Sequence, residues 1–198
     1  FPCTIGTMKN IRSFIAIQLA PDVNRNSTRM LQRLRQSNDG IKWVPTDNLH
    51  LTLKFLGDVD NTEVPDVCNV IHRVCSNHAP FHLDFGGTGG FPSRERPRIL
   101  YAGINDASGA LTKIVSQLET SLAELGFKQE PRDYVPHLTL GRTRSTSKLA
   151  NSDVMERLAT EKDTELGGML VNSLQLVASF LDKSGPTYQI MDTIPLDS

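Results

Sequence analysis

One tetrapeptide, His-Leu-Thr-Leu, occurs twice in this chain, at residues 50–53 and again at residues 137–140. Both copies lie in segments whose apolar patterns predict β-strands. Side chains alternate between the two faces of a strand, so each copy places an imidazole and a hydroxyl on one face, roughly 7 Å apart. The leucines of each copy point to the opposite face, into the core. Two such strands related by an internal pseudo-twofold axis would direct four polar groups into one cleft.

The segments around the two copies alternate between helical and strand patterns, which predicts an α+β fold with mainly antiparallel sheet. The predicted helices cover residues 22–36, 62–77 and 108–125, with a shorter one inside 144–159. The predicted strands cover residues 12–19, 41–44, 49–56, 81–85, 98–104, 137–143, 169–181 and 188–194. The glycine-rich stretch 86–97 is predicted to be a loop.

The chain has 198 residues, which suits one domain or two small lobes that share a sheet. No linker clearly separates independent domains, so we expect one domain over residues 8–198, preceded by an N-terminal extension at residues 1–7. The formal net charge is −1, so no global basic field draws the protein to nucleic acid. Any contact with RNA must therefore come from local clusters.

Three cysteines, Cys3, Cys68 and Cys75, are too few for a disulfide framework, and they favour a reducing, cytoplasmic location. Cys68, His72 and Cys75 share one predicted helix, but the two cysteines would lie about 10 Å apart, too far to bind one metal ion together. We therefore expect a buried cysteine stripe with His72 at its edge, and no metal site. No window approaches the apolar length of a membrane-spanning helix, so no membrane association is expected.

Two histidines with neighbouring hydroxyls suit the opening of a cyclic phosphodiester. That reaction needs a base to activate water and an acid to protonate the departing ribose oxygen, and imidazoles with a pKa near about 6.5 can do both. Thr52 and Thr139 can hold non-bridging phosphate oxygens, and Arg142 offers a cation for charge that develops on the phosphate. One histidine on a strand is more often structural than catalytic, but two identical copies favour a shared site.

Segments beyond the two tetrapeptides also match a known family. They are residues 12–17, 43–57, 90–93, 96–98, 136–142, 174–179 and 185–188. On these motifs the chain resembles the LigT-like RNA 2',3'-cyclic phosphodiesterases of the two-histidine phosphoesterase superfamily. The resemblance implies a bilobal fold, in which two pseudo-symmetric lobes of mainly antiparallel sheet carry their helices on the outside and enclose a central cleft.

The resemblance also implies an activity and a set of residues. It implies hydrolysis of a 2',3'-cyclic phosphate at an RNA end or on a nucleotide to a 2'-phosphate, with no metal or other cofactor. His50 would be the proton donor to the 3'-oxygen, and His137 would be the proton acceptor that activates water. Thr52, Thr139 and Arg142 would bind the phosphate, and we expect the protein to act as a monomer.

Other functions remain open at this stage. Some relatives in the family also join RNA halves through a 2'-5' linkage, which is the same step in reverse. A non-catalytic RNA-end binder could use the same fold, although binding alone does not need a matched acid and base. A metal-dependent phosphoesterase is disfavoured because the sequence has no clustered set of aspartate, glutamate and histidine.

The glycine- and arginine-rich stretch has two interpretations of equal weight. Arg94, Arg96 and Arg98, together with Phe91, could contact the RNA backbone or stack on a base. They could equally form a solvated loop.

Residues beside the tetrapeptides carry weaker expectations. Phe55 and Trp43 could stack on a substrate, but core packing is the simpler expectation for both. Lys54 is expected to be exposed at a strand edge. Gly141 stands where the family commonly has alanine or leucine, and we expect no loss of activity from this difference.

Overall fold

A computed structural model describes residues 9–93, 97–144, 152–183 and 185–197. Within these residues the chain forms nine strands and four α-helices. In chain order they are β1 (Asn10–Gln18), α1 (Pro21–Leu34), β2 (Ile41–Trp43), β3 (His50–Asp60), α2 (Val64–Cys75), β4 (Phe81–Phe91), β5 (Ile99–Asn105), α3 (Ala110–Ala123), β6 (His137–Thr143), α4 (Ser152–Thr160), β7 (Glu165–Val171), β8 (Ser173–Asp182) and β9 (Gly185–Pro195).

The strands form two sheets, one per lobe. The first sheet has the order β3-β1-β8-β9 and the second has the order β2-β6-β5-β4-β7. Every described pair of neighbouring strands is antiparallel. The predicted α+β fold of two mainly antiparallel lobes is therefore confirmed. Each sheet takes strands from both halves of the chain, so no single cut along the sequence would separate the lobes.

The helices cover one face of each sheet. α2 and α3 pack against each other and against strands β3, β8 and β9 of the first sheet, whereas α1 and α4 pack against β7 and β4 of the second. The apolar stripes of these helices and the inward-facing strand residues form one main core. β3 of the first sheet contacts β6 of the second, so the two tetrapeptides lie where the lobes meet. Among the described residues, no helix has the length and apolar character to cross a membrane.

The predicted loop at residues 86–97 is wrong for its glycine-rich half, because β4 continues through these glycines to Phe91. The glycines are needed for close approach rather than for a turn. A Cβ on Gly89 would overlap the ring of Tyr101 on the neighbouring strand, and one on Gly86 would lie 3.0 Å from a backbone oxygen of Thr164. The positive φ of Gly87 accompanies a bulge in this strand. Both arginines of the stretch, Arg94 and Arg96, lie outside the described residues, and Arg98, which follows it, is exposed.

The single strand predicted at residues 169–181 is two strands that belong to different sheets. β7 pairs with β4 in the second sheet, and β8 pairs with β1 in the first. The chain changes sheet at Asn172, between the two strands. Alternating apolar residues continue across this point, so the pattern alone does not reveal the change of partner.

A β-bulge in β3 reverses which side chains face the core. Thr52 pairs with Ala16 and Lys54 pairs with Ile15, so one additional residue, Leu53, is inserted between them. Such an insertion turns the side chains that follow it to the opposite face. Lys54 is consequently buried, and Phe55 is 60% exposed. The expectations of an exposed Lys54 and a core-packed Phe55 are both wrong for this reason.

Gly141 is required by the packing of β2 against β6. Trp43 pairs with Gly141, packs against the core and donates its indole N–H to the Asp39 carboxylate over 2.8 Å. A Cβ on Gly141 would lie 2.7 Å from Cγ2 of Ile41 and 3.0 Å from Cε3 of Trp43. Gly141 therefore accommodates two large side chains of the adjacent strand.

We predict that Gly141→Ala lowers the free energy of unfolding by about 1–3 kcal/mol, because overpacking forces neighbouring side chains to move. Urea denaturation followed by fluorescence measures the change. In an Ile41→Ala background, which removes the nearest clashing methyl, the same substitution should destabilise the protein less. An equal loss in both backgrounds, or no loss in either, would contradict this packing explanation.

Candidate active site

The two tetrapeptides open the strands β3 and β6, where they present histidine and threonine on one face and leucine on the other. Leu51, Leu53, Leu138 and Leu140 are almost fully buried in the main core. The histidines and threonines of both copies are only partly buried. The alternation expected from the sequence is therefore present in each copy up to the bulge.

Both histidine rings are held by the same local contact. Nδ1 of His50 lies 2.6 Å from the carbonyl oxygen of Asn48, and Nδ1 of His137 lies 2.7 Å from that of Val135. A carbonyl oxygen can only accept a hydrogen bond, so Nδ1 carries the proton in each ring. In the neutral form Nε2 of each histidine therefore keeps its lone pair, which can accept a proton.

Aromatic rings surround each histidine. Phe14 stacks on His50 with ring centroids 4.8 Å apart, and Tyr188 meets His50 edge-on at 5.2 Å. Around His137, Phe91 lies edge-on at 5.1 Å and Tyr101 lies at 5.6 Å. These rings exclude water from one side of each imidazole.

Burial lowers the pKa of both histidines below its ordinary value of 6.5, because the charged imidazolium loses hydration. The backbone carbonyl beside each ring acts in the opposite direction, since it favours the protonated form. For His137 the positive charge of Arg142 lowers the pKa further. The two rings therefore have similar surroundings but differ in the cation that lies beside one of them.

The three residues expected to bind phosphate have different surroundings. The Thr52 hydroxyl lies 2.9 Å from Nε2 of His50, whereas the Thr139 hydroxyl has no side-chain hydrogen bond within the described residues. Arg142 is exposed and has no ion pair there. Burial raises the pKa of the Tyr188 phenol, and the charges of Arg142 and Arg12 act in the opposite direction. Because Tyr188 contacts His50 and Arg142 acts on His137, Arg142 links the surroundings of both histidines.

Two hydrogen bonds connect the segments around the motifs. Tyr134 precedes His137 in the chain, and its hydroxyl donates a hydrogen bond to the backbone oxygen of Thr52 over 3.1 Å. The Asn48 side chain donates to the backbone oxygen of Pro186 over 2.8 Å, beside Tyr188. These bonds hold the second tetrapeptide and the β8–β9 hairpin against the first.

Sequence reasoning did not find the aromatic partners of the two histidines. Tyr101 follows His50 at the same number of residues as Tyr188 follows His137, a repeated spacing that could have revealed both. The structure exchanges them, because Tyr101 contacts His137 and Tyr188 contacts His50. Each histidine therefore contacts the tyrosine that stands at this spacing from the other histidine.

The buried cysteine stripe expected on α2 is present at Cys75 but not at Cys68, which is only partly buried. Cys75 is buried, and Cys68 and the half-exposed His72 lie nearer the surface, where Asp192 approaches His72 at 3.5 Å. Burial, with the nearby Asp197, raises the pKa of the Cys75 thiol to about 12. Over the ranges that the structure describes, no three histidine, cysteine or acidic side chains are grouped to hold a metal ion.

The model of the family described as LigT like phosphoesterase matches residues 17–101 and 103–188. Each of the two matched segments contains one tetrapeptide and reaches one of the two exchanged tyrosines. The chain belongs to the LigT-like phosphoesterase family. This confirms the resemblance inferred from the motifs and the class of enzyme that it implies.

Relatives of this LigT-like phosphoesterase cover nearly its whole length. The RNA 2',3'-cyclic phosphodiesterase of Methanothermobacter thermautotrophicus is 31% identical over 187 residues, which are 94% of this chain and 99% of the relative. That of Aeropyrum pernix is 32% identical over 166 residues, 81% of this chain and 92% of the relative. The crystal structure of TT0787 from Thermus thermophilus superposes with a TM-score of 0.77 at 28% identity, covering 94% of this chain and 98% of that one.

We predict that the imidazoles of His50 and His137 both titrate below 6.5 in the free protein, because burial disfavours their charged forms. NMR titration of the ring protons measures both values. Saturating inorganic phosphate should raise both, since a bound anion stabilises the imidazolium. Arg142→Ala should raise the pKa of His137 and leave that of His50 nearly unchanged. A value at or above 6.5 for either ring in the free protein would contradict this description.

Proposed function

We propose that this protein is an RNA 2',3'-cyclic phosphodiesterase that opens the cyclic phosphate to a 2'-phosphate through His50 and His137, without a metal ion. One observation carries the proposal: two equivalent histidines lie at the junction of the lobes. In each of them Nδ1 donates a hydrogen bond to a backbone carbonyl, and a threonine follows on the same face of the strand. Full-length relatives named RNA 2',3'-cyclic phosphodiesterases support the substrate class.

The charge of Arg142 supports the assignment of the two roles. A cation beside His137 disfavours its protonated form, so His137 is suited to be the base. The lowered pKa of His50 comes from burial, with no contribution from a neighbouring cation among the described residues. Its Nε2 can carry the proton that the acid must donate. The expected donor and acceptor roles therefore agree with the electrostatics of the two rings.

The reaction would then proceed as one in-line displacement. Nε2 of His137 takes a proton from water while the water oxygen bonds to phosphorus. The bond between phosphorus and the 3'-oxygen breaks, and Nε2 of His50 gives its proton to that oxygen. The product carries a 2'-phosphate and a free 3'-hydroxyl, and the proton count of the histidine pair is unchanged.

Thr52, Thr139 and Arg142 would hold the phosphate during this step. Hydroxyls can donate to the non-bridging oxygens, and a guanidinium can bind two of them at once. The charge on these oxygens grows as water attacks, so donors fixed beforehand stabilise the transition state more than the substrate. Arg142 is suited to this role because it is exposed and has no ion pair in the described part of the chain.

An exposed aromatic surface beside His50 supports a nucleotide as the substrate. Phe14, which stacks on His50, also contacts Phe55 with ring centroids 6.0 Å apart and Tyr188 at 5.1 Å. Phe55 is 60% exposed and Tyr188 is 37% exposed. Aromatic faces of this kind bind nucleobases by stacking with little preference for sequence.

We predict that His50→Ala and His137→Ala each lower kcat by roughly a hundredfold to ten-thousandfold on an oligonucleotide with a 2',3'-cyclic phosphate end. His82→Ala is the matched control, because His82 is an exposed histidine on β4, and its kcat should not change. Chromatography of the product should give a 2'-phosphate.

Three outcomes would overturn parts of the proposal. Wild-type activity in either histidine variant would remove the acid–base mechanism. A 3'-phosphate product would reassign the leaving oxygen. RNA-end binding without turnover in the wild type would identify a non-catalytic binder, and joining of RNA halves through a 2'-5' linkage would add the reverse reaction.

We predict that Phe55→Ala raises KM for the same oligonucleotide by roughly tenfold through the loss of base stacking, with a smaller effect on kcat. Leu170→Ala is the control, because Leu170 is 61% exposed but lies on β7 of the second sheet. Phe55→Trp should preserve the KM. An unchanged KM in Phe55→Ala would show that this ring does not bind the substrate.

A further inference from the structure

We infer that Lys54, Glu119 and Tyr134 are positioning residues that hold the second tetrapeptide in register with the first. The inference rests on the proposed function, because it concerns how the two histidines come to act on one phosphate. The segment to be held is residues 127–136, called here the lead-in segment. It lies between α3 and β6 and ends immediately before His137. It contains no helix or strand and is mostly exposed.

The first attachment begins at the bulge in β3. Because the bulge turns Lys54 away from the face that carries His50 and Thr52, its side chain reaches α3 and is only 1% exposed. Its ammonium lies 2.8 Å from Oε2 of Glu119 and donates to the backbone oxygen of Lys128 over 3.0 Å. The strand of the first histidine is thus attached to the start of the lead-in segment.

Glu119 extends the same attachment further along the segment. Its Oε2 atom, already paired with Lys54, accepts a hydrogen bond from the backbone N–H of Glu130 over 3.1 Å. Its backbone oxygen accepts one from the Gln129 side chain over 3.4 Å. The ion pair therefore fixes a backbone oxygen at residue 128 and a backbone N–H at residue 130.

The second attachment lies nearer to His137. The Tyr134 hydroxyl donates a hydrogen bond to the backbone oxygen of Thr52 over 3.1 Å. The Thr52 hydroxyl is itself hydrogen-bonded to Nε2 of His50. Burial raises the pKa of the Tyr134 phenol, so the group stays protonated and remains a donor. The lead-in segment is thus joined to β3 at both of its ends.

These contacts are better suited to positioning than to stability. Replacing a buried ion pair by apolar side chains of similar volume is often neutral or stabilising, because the charges lose hydration when they are buried. A displacement of about 1 Å between catalytic groups, in contrast, can lower a rate by about a hundredfold. Neither Lys54 nor Glu119 lies on the face that would meet the phosphate, so both act through the backbone that carries His137.

The test is the double variant Lys54→Met/Glu119→Leu, with Tyr134→Phe as a separate variant that keeps the ring. We expect kcat on the cyclic-phosphate oligonucleotide to fall by roughly ten- to a hundredfold in the double variant and severalfold in Tyr134→Phe. KM should rise by no more than about tenfold, in step with the weaker hold on the phosphate, and Tm should stay within about 5 °C of the wild-type value. The pH optimum should not move, because these residues exchange no proton with the substrate.

The control is Arg33→Met/Glu161→Leu, which removes an ion pair of 2.6 Å between α1 and the turn after α4. Its kcat should equal that of the wild type. An unchanged kcat in the folded double variant, or an equal loss in the control, would overturn the inference. If the double variant does not fold, the Tyr134→Phe variant is the test, and a wild-type kcat in that variant overturns the inference.

A second measurement separates this inference from the proposed function. Inorganic phosphate should perturb the NMR signals of both His50 and His137 in the wild type with one Kd, and the double variant should weaken that Kd by roughly tenfold. If the wild type fails to turn over any cyclic phosphate, the proposed function falls while the phosphate titration still tests the positioning. In that case an unchanged Kd for phosphate in the double variant overturns the positioning inference.

Discussion

The alternation of side chains along β3 and β6 is the constraint on which the rest of the molecule depends. The leucines of the two tetrapeptides are fixed in a shared core, so the histidines and threonines between them must face away from it. When the leucines are buried, the imidazoles necessarily lie on the opposite face of each strand. Hydrophobic packing and the placement of the polar groups therefore have one cause. The carbonyl two residues before each histidine then fixes Nδ1 and leaves Nε2 available.

The surroundings of the two histidines are alike in packing and unlike in charge. Burial lowers the pKa of both, and aromatic rings pack against each imidazole. Arg142 adds a positive charge beside His137. The two copies of the motif therefore differ in their electrostatic surroundings, and the proposed assignment of base and acid rests on this difference.

Part of the site could be predicted from the sequence, because the signals involved are local. The repeat identified His50, Thr52, His137 and Thr139, and strand periodicity placed each pair on one face. The four helices and β6 lie close to their predicted positions. Trp43 packs against the core as expected. Each of these depends on the spacing of residues within one short segment.

Other features were decided by tertiary structure, because they depend on which strands pair. An additional residue opposite β1 turns Lys54 inward and Phe55 outward, the chain changes sheet at Asn172, and the glycines before Phe91 form a strand because they pair with β5. The exchange of Tyr101 and Tyr188 follows from sheets built from both halves of the chain. The sequence alone indicated which side chains could carry the proposed chemistry. Only pairing between distant strands determined which neighbours these side chains meet, because pairing is a non-local choice that periodicity does not record.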